Sequence, residues 1–444
     1  MGPSAAVLIG PRAIFVGVTF PNTRIDRAKR WSVDHKIFLF ILLGAFLLRI
    51  VWLLAARPTP VSDWHAYRQL AADLLDHGQF GYPEKTSFYL PAHPFHLAIW
   101  SLFSRSALWL SLSSVMLSTL SVGLIYAIGL RIHTKRRTAL IAAALFAVLP
   151  IFFFFSPVLS TEHLFIVFML SAMLSLVSLA PRSTVLAVFV GVFAGLAILT
   201  RGEGVFYVPA LVLFLWVGSA VTSRKDQMKM TLLMGLGIVV IIGPWYVRNS
   251  LIASPDTGLS AGAGINFYFS HNDSGLYGWY PEGSPLEGLN TEEANRLGWE
   301  LGFAYLRENP MHLIRDIGYG TSELLATPEY ALFWSTRGLV EGGDPLDPAS
   351  FYAKDVRFGW LLEFVLAIPV LLVLGAVSVF AYRTWTRQLV WLIVPLIASS
   401  WILRTVIYWA KPRYGYFINV MLVFVAALAI SAIIESNKRP IDAT

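Results

Sequence analysis

Residues 36–67 read KIFLFILLGAFLLRIVWLLAARPTPVSDWHAY. From Lys36 to Ala56 the stretch is almost wholly apolar, and at about 1.5 Å per residue a helix of that length crosses a hydrocarbon core of about 30 Å. Arg57-Pro58 then ends the run, and Ser62-Asp63-Trp64-His65-Ala66-Tyr67 places a carboxylate among aromatic rings just beyond it. Similar apolar runs recur near 107–130, 138–156, 160–180, 184–199, 203–222, 230–247, 359–382, 388–407 and 415–434. A backbone group left unpaired in lipid costs several kcal/mol, so these runs must be helices rather than open strands. The expected fold is all-α: a polytopic transmembrane helix bundle of about ten spans, within a range of 9–13. Composition agrees, since 56% of the 444 residues are hydrophobic and only 14% are charged, with a mean hydropathy of +0.63.

A net charge of +7 could point to nucleic acid, but the basic residues follow topology instead. Arg24, Arg27, Lys29 and Arg30 precede the first run, Arg131, Lys135, Arg136 and Arg137 follow the second, and Arg224, Lys225 and Lys229 follow the sixth. Arg383 and Arg387 follow the eighth, and Lys438 and Arg439 come after the last. With alternating spans all of these lie on one side, which the positive-inside rule assigns to the cytoplasm together with both termini. The expectation is a multi-pass protein of the plasma (inner) membrane. Residues 1–35 contain an apolar stretch from Ala13 to Phe20 but no convincing cleavage site, and read as a cytoplasmic tail. With no cysteine, disulfides, thiolate metal sites and thiol nucleophiles are excluded.

The organisation that follows is a tail at 1–35, an N-terminal transmembrane region at 36–249 that includes a first outer loop at 57–106, an extracytoplasmic loop region at 250–357, C-terminal transmembrane helices at 358–434, and a short tail at 435–444. Within the first loop, Tyr67, Leu70, Ala71, Leu74 and Leu75 recur at helical spacing up to Gly78, the pattern of an amphipathic interfacial helix with a glycine C-cap. Proline-punctuated Tyr89-Leu90-Pro91-Ala92-His93-Pro94 should return the chain towards the membrane. In the second loop region, Gly, Asn and Asp at 254–290 favour turns. Asn290 with Glu293 then matches a capping box, opening a helix that runs to Asn309-Pro310.

Ionisable residues at span ends on the side without the positive bias need a reason. Four groups qualify: Asp63, Glu162, Arg201 with Glu203, and Lys411 with Arg413. They come from separate loops on one side. At the start of the interfacial helix Ser62 or Asp63 reads as an N-cap, and Asp63 reads equally as a general base sheltered by Trp64 and Tyr67. Lys411 and Arg413 could be snorkelling cations, or could hold a phosphate headgroup. Arg201 raises the same choice, with a local ion pair to Glu203 as its simplest explanation. Glu162 fits helix capping by Ser160 or Thr161. Hard cations favour carboxylate oxygens, so Asp63 and Glu162, with His93 or His163, form a candidate divalent-metal site that no spacing motif demands. No other cofactor is expected.

These residues resemble the GT-C superfamily of membrane glycosyltransferases, in the branch that groups protein O-mannosyltransferase-like enzymes with the lipid A aminoarabinose transferase. Ser62-Asp63-Trp64, Gln79-Phe80-Gly81-Tyr82-Pro83, Tyr89 to Pro94, Ser156-Pro157 before Thr161-Glu162, Gly195 to Arg201, Gly243-Pro244-Trp245-Tyr246-Val247-Arg248-Asn249 and Lys411-Pro412-Arg413-Tyr414 carry the resemblance in order, over about 36–434. It implies inverting transfer of a hexosyl or pentosyl group from a polyprenyl-phosphate donor to a glycan, lipid or protein acceptor in the cell envelope. Asp63 is then the catalytic base, Arg413, Lys411 and Arg201 bind the donor phosphate, and Glu162, His93 and Tyr89 are further acceptor or metal contacts. Two departures bear on sugar and acceptor: Trp64 stands where the mannosyltransferases carry a second acid, and Gly202 where a proline is common.

Two rivals remain at this stage. A lipid or solute transporter, or flippase, would also be polytopic with buried charges, but should show repeats and charges near the midplane. A non-catalytic scaffold of the same fold is equally compatible with one sequence.

Overall fold

A computed structural model describes residues 24–132, 135–180, 183–253, 257–272, 283–324, 331, 334–335 and 387–436. The expected span at 359–382, part of the second loop region and the ends of the chain lie outside the described residues. Among the described residues the secondary structure is helical, with no strands. Helix α1 (Arg24–Ala56) is followed by α2 (Asp63–His77), α3 (Ala92–Ser101), α4 (Ala107–Ile132), α5 (Arg136–Val148), α6 (Pro150–Phe155), α7 (Thr161–Val177), α8 (Thr184–Thr200) and α9 (Val208–Leu213). Then come α10 (Arg224–Ile252), α11 (Ala263–Ser270), α12 (Thr291–Glu308), α13 (His312–Leu324), α14 (Arg387–Ile402) and α15 (Tyr416–Ser436).

Segments Val33–Ala56, Ala107–Ile132, Arg224–Ile252, Val390–Ile407 and Arg413–Glu435 are long and apolar enough to cross a membrane, and Thr161–Val177, Thr184–Thr200 and Gly202–Gly218 are shorter apolar helices. The chain is an integral membrane protein. Three local readings differ from the structure. Helix α1 begins at Arg24 rather than near residue 36, extending into the expected tail. The run at 138–156 breaks at Leu149, because Pro150 has no N–H to continue the ladder. The run at 203–222 is a composite: a 3-10 turn at Gly202–Tyr207, α9, and a π turn at Phe214–Gly218.

The caps follow the sequence closely. Gly78 ends α2 in the left-handed conformation, with φ of 64°, where a side chain would be strained. Asn290 accepts from the Glu293 N–H at 2.9 Å and starts α12. Ser160 caps α7 by accepting from the Glu162 N–H at 3.2 Å. At α2 the position is different. Ser62 has φ of 53° and makes no side-chain cap bond, so the capping explanation of this stretch holds for the Ser62 backbone only.

Small residues let the long helices touch. A Cβ on Gly191 of α8 would lie 2.0 Å from the Met234 carbonyl oxygen of α10, and one on Gly237 would lie 2.6 Å from the Val188 oxygen. Gly195 likewise faces Ile241. This Gly-xxx-Gly face brings two backbones into contact, the mode by which helices associate without help from the hydrophobic effect. In α1, Arg49 is fully buried. Its guanidinium donates to the carbonyls of Ala147 (3.0 Å) and Phe146 (3.1 Å) and to Ser118 Oγ (2.9 Å). Pro150 cannot donate to the Phe146 carbonyl, so the arginine supplies what the broken helix lacks.

Candidate active site

Asp63, the first residue of α2, sits beside the turn that precedes α15. Arg413, from the 3-10 turn Pro412–Gly415, donates through Nη2 to Asp63 Oδ2 at 3.3 Å and to the Tyr414 hydroxyl at 3.0 Å. The two groups lie 350 positions apart in the chain. The pair is half-open to its surroundings, unlike the ion pairs beside it.

Arg201, just past α8, lies with Nη1 2.7 Å from Glu162 Oε1 and Nε 2.8 Å from Glu203 Oε1. It also donates to Thr161 Oγ1 at 2.8 Å. Glu203 in turn pairs with Arg404, which belongs to the π turn Leu403–Ile407 after α14. The Tyr414 ring unites the set: the guanidinium carbons of Arg404, Arg413 and Arg201 lie 3.8, 5.0 and 5.4 Å from its centroid. Cations over an aromatic face are held by the ring quadrupole. Three arginines and three carboxylates, Asp63, Glu162 and Glu203, thus meet at one end of the bundle. Lys411 adds a cation nearby, 5.9 Å from the Trp409 ring.

One turn along α2, Tyr67 packs edge-on against Tyr89 at 5.5 Å and His93 at 5.2 Å between ring centroids. Burial, and then the negative charge of Asp63, push the hydroxyls of Tyr67 and Tyr89 above their ordinary range, so both stay neutral. His93 is buried, with Nε2 3.3 Å from the Leu159 carbonyl oxygen. Burial, followed by the neighbouring His96, holds it down to about 3, so the ring is neutral. His163 lies 3.0 Å from the Phe155 carbonyl oxygen. His93 thus ties the loop carbonyl of Leu159 to α3, and His163 ties the last carbonyl of α6 to α7.

Among the described residues no group of three or more His, Asp or Glu side chains is placed to hold a metal ion. The two carboxylates that the metal reading needs, Asp63 and Glu162, already face guanidinium groups. Sequence reasoning missed Arg404, which sits near the end of an apolar run. Its signal was present all the same, because an ionisable residue inside such a run calls for a function.

By class this is a polytopic helical membrane protein with a charged centre at one end of its bundle. The profile of the dolichyl-phosphate-mannose-protein mannosyltransferase family matches residues 91–247. The fold is similar to that of solved membrane oligosaccharyltransferases. The chain is similar to the archaeal oligosaccharyltransferase AglB from Archaeoglobus fulgidus, solved with an inhibitory peptide and a dolichol-phosphate, with a TM-score of 0.53 and 16% identity over 92% of this chain and 51% of that one. An Archaeoglobus fulgidus oligosaccharyltransferase complex with Zn and sulfate gives 0.51 and 15% over 90% and 49%. ArnT from Cupriavidus metallidurans bound to undecaprenyl phosphate gives 0.43 and 17% over 88% and 76%. The chain spans about half the length of the two oligosaccharyltransferases. No curated protein sequence matches it.

Proposed function

We propose that the protein is an inverting glycosyltransferase that moves a sugar from a polyprenyl-phosphate donor at the extracytoplasmic face of the membrane. The observation that carries this reading is the meeting of Asp63 with Arg413, beside Arg201 and Arg404, on segments from opposite ends of the chain. An acid at the boundary of the bundle with a bank of guanidinium groups next to it is what transfer from a lipid phosphate needs.

In the step itself, an acceptor hydroxyl attacks the anomeric carbon and its proton passes to the Asp63 carboxylate. The bond from that carbon to the phosphate oxygen breaks, and its electron pair leaves with the phosphate. The lipid phosphate gains negative charge as it departs. Arg413 and Arg404, with Lys411 alongside, stabilise that charge through hydrogen bonds that are bidentate for arginine. Arg201 is bound to two carboxylates, so its part is to fix Glu162 and Glu203 around Tyr414. Tyr67 and Tyr89, kept neutral, are available to donate to sugar hydroxyls beside Asp63.

The test is transfer of labelled sugar from polyprenyl-phosphate donors by purified protein in nanodiscs. Asp63→Asn should lower turnover about 100- to 10,000-fold, the span expected for loss of a general base, while thermal stability and undecaprenyl-phosphate binding stay near wild type. Unchanged turnover would remove Asp63 from this role. A transporter would instead move lipid across the bilayer without making a glycoside, which the same preparation measures.

A further inference from the structure

The ring on which the arginines gather is itself braced by a helix of the outer loop region. Trp409 packs edge-on against Tyr414, with ring centroids 5.4 Å apart, and also carries Lys411 at 5.9 Å. Two hydrogen bonds fasten Trp409 to α11. Its backbone N–H donates to Ser270 Oγ at 2.7 Å, and its indole Nε1–H donates to Asn266 Oδ1 at 3.3 Å. Both acceptors are oriented for this. The Ser270 hydroxyl gives its proton to the Asn266 carbonyl at 2.9 Å, and Asn266 Nδ2 donates to the Gly262 carbonyl at 2.7 Å, which leaves Oδ1 turned to the indole. A third bond comes from His271, directly after α11, whose Nε2 donates to the Ile407 carbonyl at 3.2 Å. Ile407 is the last residue of the π turn that bears Arg404, and helix ends leave their final carbonyls without partners inside the helix.

Helix α11 is a fixed reference for these bonds. A Cβ on Gly264 would lie 2.0 Å from the Asn295 carbonyl oxygen of α12, and one on Gly298 would lie 2.5 Å from the Gly264 oxygen, so the two backbones touch. The Gly264 N–H also donates to Asn295 Oδ1 at 2.7 Å. Just before α11, Ser260 Oγ donates to the Phe88 carbonyl at 2.6 Å and the Ala261 N–H to the Ser87 carbonyl at 3.0 Å. Tyr89, beside Tyr67, follows in that segment. At about 1.5 Å per residue the eight residues of α11 span about 12 Å, and they tie the Tyr89 side of the centre to its arginine side.

We infer that Trp409 is a positioning residue for the donor phosphate: clamped by Asn266 and Ser270, it sets the Tyr414 ring and, through that ring, the guanidinium groups of Arg404 and Arg413. Long side chains that swing freely lose rotamer entropy when they close on a phosphate, and a braced ring removes part of that loss beforehand. This role rests on reading these cations as the donor-phosphate site, whereas the attachment of Trp409 to α11 does not.

Undecaprenyl-phosphate affinity and thermal unfolding, measured on the full chain in nanodiscs, test it. Trp409→Leu should weaken binding about 3- to 10-fold, the worth of an aromatic contact and a neutral hydrogen bond, and Trp409→Phe, which keeps an aromatic edge against Tyr414, should recover most of the loss. Ser270→Ala leaves every side chain of the charged centre in place and should weaken binding about threefold, with Ser270→Thr restoring it. Because Trp409 acts through the arginines, Trp409→Leu combined with Arg413→Ala should lose less than the product of the two separate factors. Factors that simply multiply, or wild-type affinity in Trp409→Leu and Ser270→Ala, would overturn the inference, as would losses that follow the unfolding temperature alone. Wild-type affinity in Arg413→Ala would remove the donor-site reading and this role with it. A weakened Arg413→Ala beside an unaffected Trp409→Leu would leave the donor site standing and take Trp409 out of it.

Discussion

Arg49 is fully buried and Arg201 largely so, and they are withdrawn from solvent for different reasons. Arg49 sits inside α1 with carbonyl oxygens and a serine hydroxyl around it, repairing the break that Pro150 makes between α5 and α6. Arg201 sits past the end of α8 between two carboxylates, in a set that reaches Arg404, Arg413 and Asp63. A charge that completes backbone hydrogen bonding belongs to the architecture. A charge held among opposed charges at the rim of a bundle is poised to exchange partners. The lesson is that the identity of an arginine's partners, more than its depth, separates structure from chemistry.

Substitutions at the two arginines and their partners separate the two roles. Arg201→Met leaves Glu162 and Glu203 without their shared partner, and should destabilise the protein by about 3–5 kcal/mol, the usual cost of stranding one side of a buried pair. Adding Glu162→Gln should recover part of that loss, and a double-mutant cycle in thermal or chemical unfolding measures how much. Strictly additive losses would show that the pair does not act as a unit. Arg413→Ala should weaken undecaprenyl-phosphate binding about 10- to 100-fold, the worth of charge-assisted hydrogen bonds of about 1.5–3 kcal/mol, with little change in unfolding. Arg49→Met should do the reverse. It removes the donor from the Phe146 and Ala147 carbonyls, lowering stability by about 1–3 kcal/mol, while turnover per folded molecule is unchanged. A turnover defect in Arg49→Met with normal stability would erase the distinction.

The smallest expected effect concerns His93. Its folded form resists protonation down to about pH 3 because it is buried, whereas the unfolded chain takes the proton from about pH 6.5 downward. Between those values the unfolded state binds more protons, so stability is full above about pH 6.5 and declines as pH falls. From pH 7 to 5.5 the loss should be about 1 kcal/mol, from the value of one pH unit. His93→Gln should flatten that part of the profile, and an unchanged slope would assign it to other groups.

Much of this arrangement was legible in the residues alone. Hydropathy located the apolar helices, and Gly78, Asn290 with Glu293, and Ser160 marked helix ends that the structure places where their chemistry requires. Asp63 and Arg413 were singled out because each needed a reason on the side without the positive bias, and they lie 3.3 Å apart. The breaks were harder to see. At Leu149-Pro150 and along 203–218 the sequence stays apolar, and hydropathy reports solvent preference rather than hydrogen-bond register. Arg404 escaped notice because it lies within an apolar run that reads as a span, and Arg248 was read only as part of the motif at 243–249. Their partners, Glu203 in one case and the carbonyls of Thr86 and Phe80 in the other, are distant in sequence and visible only in three dimensions.

The backbone contact between α8 and α10 has a mechanical consequence. Gly191 and Gly237 touch about one turn from Leu196 and Ile241, so the two helices are pinned beside the groove of about 720 Å³ that they line together with α3 and α7. Such a pinned seam cannot part without lifting one backbone off the other. Any widening of the groove must therefore come from its other walls, α3 and α7.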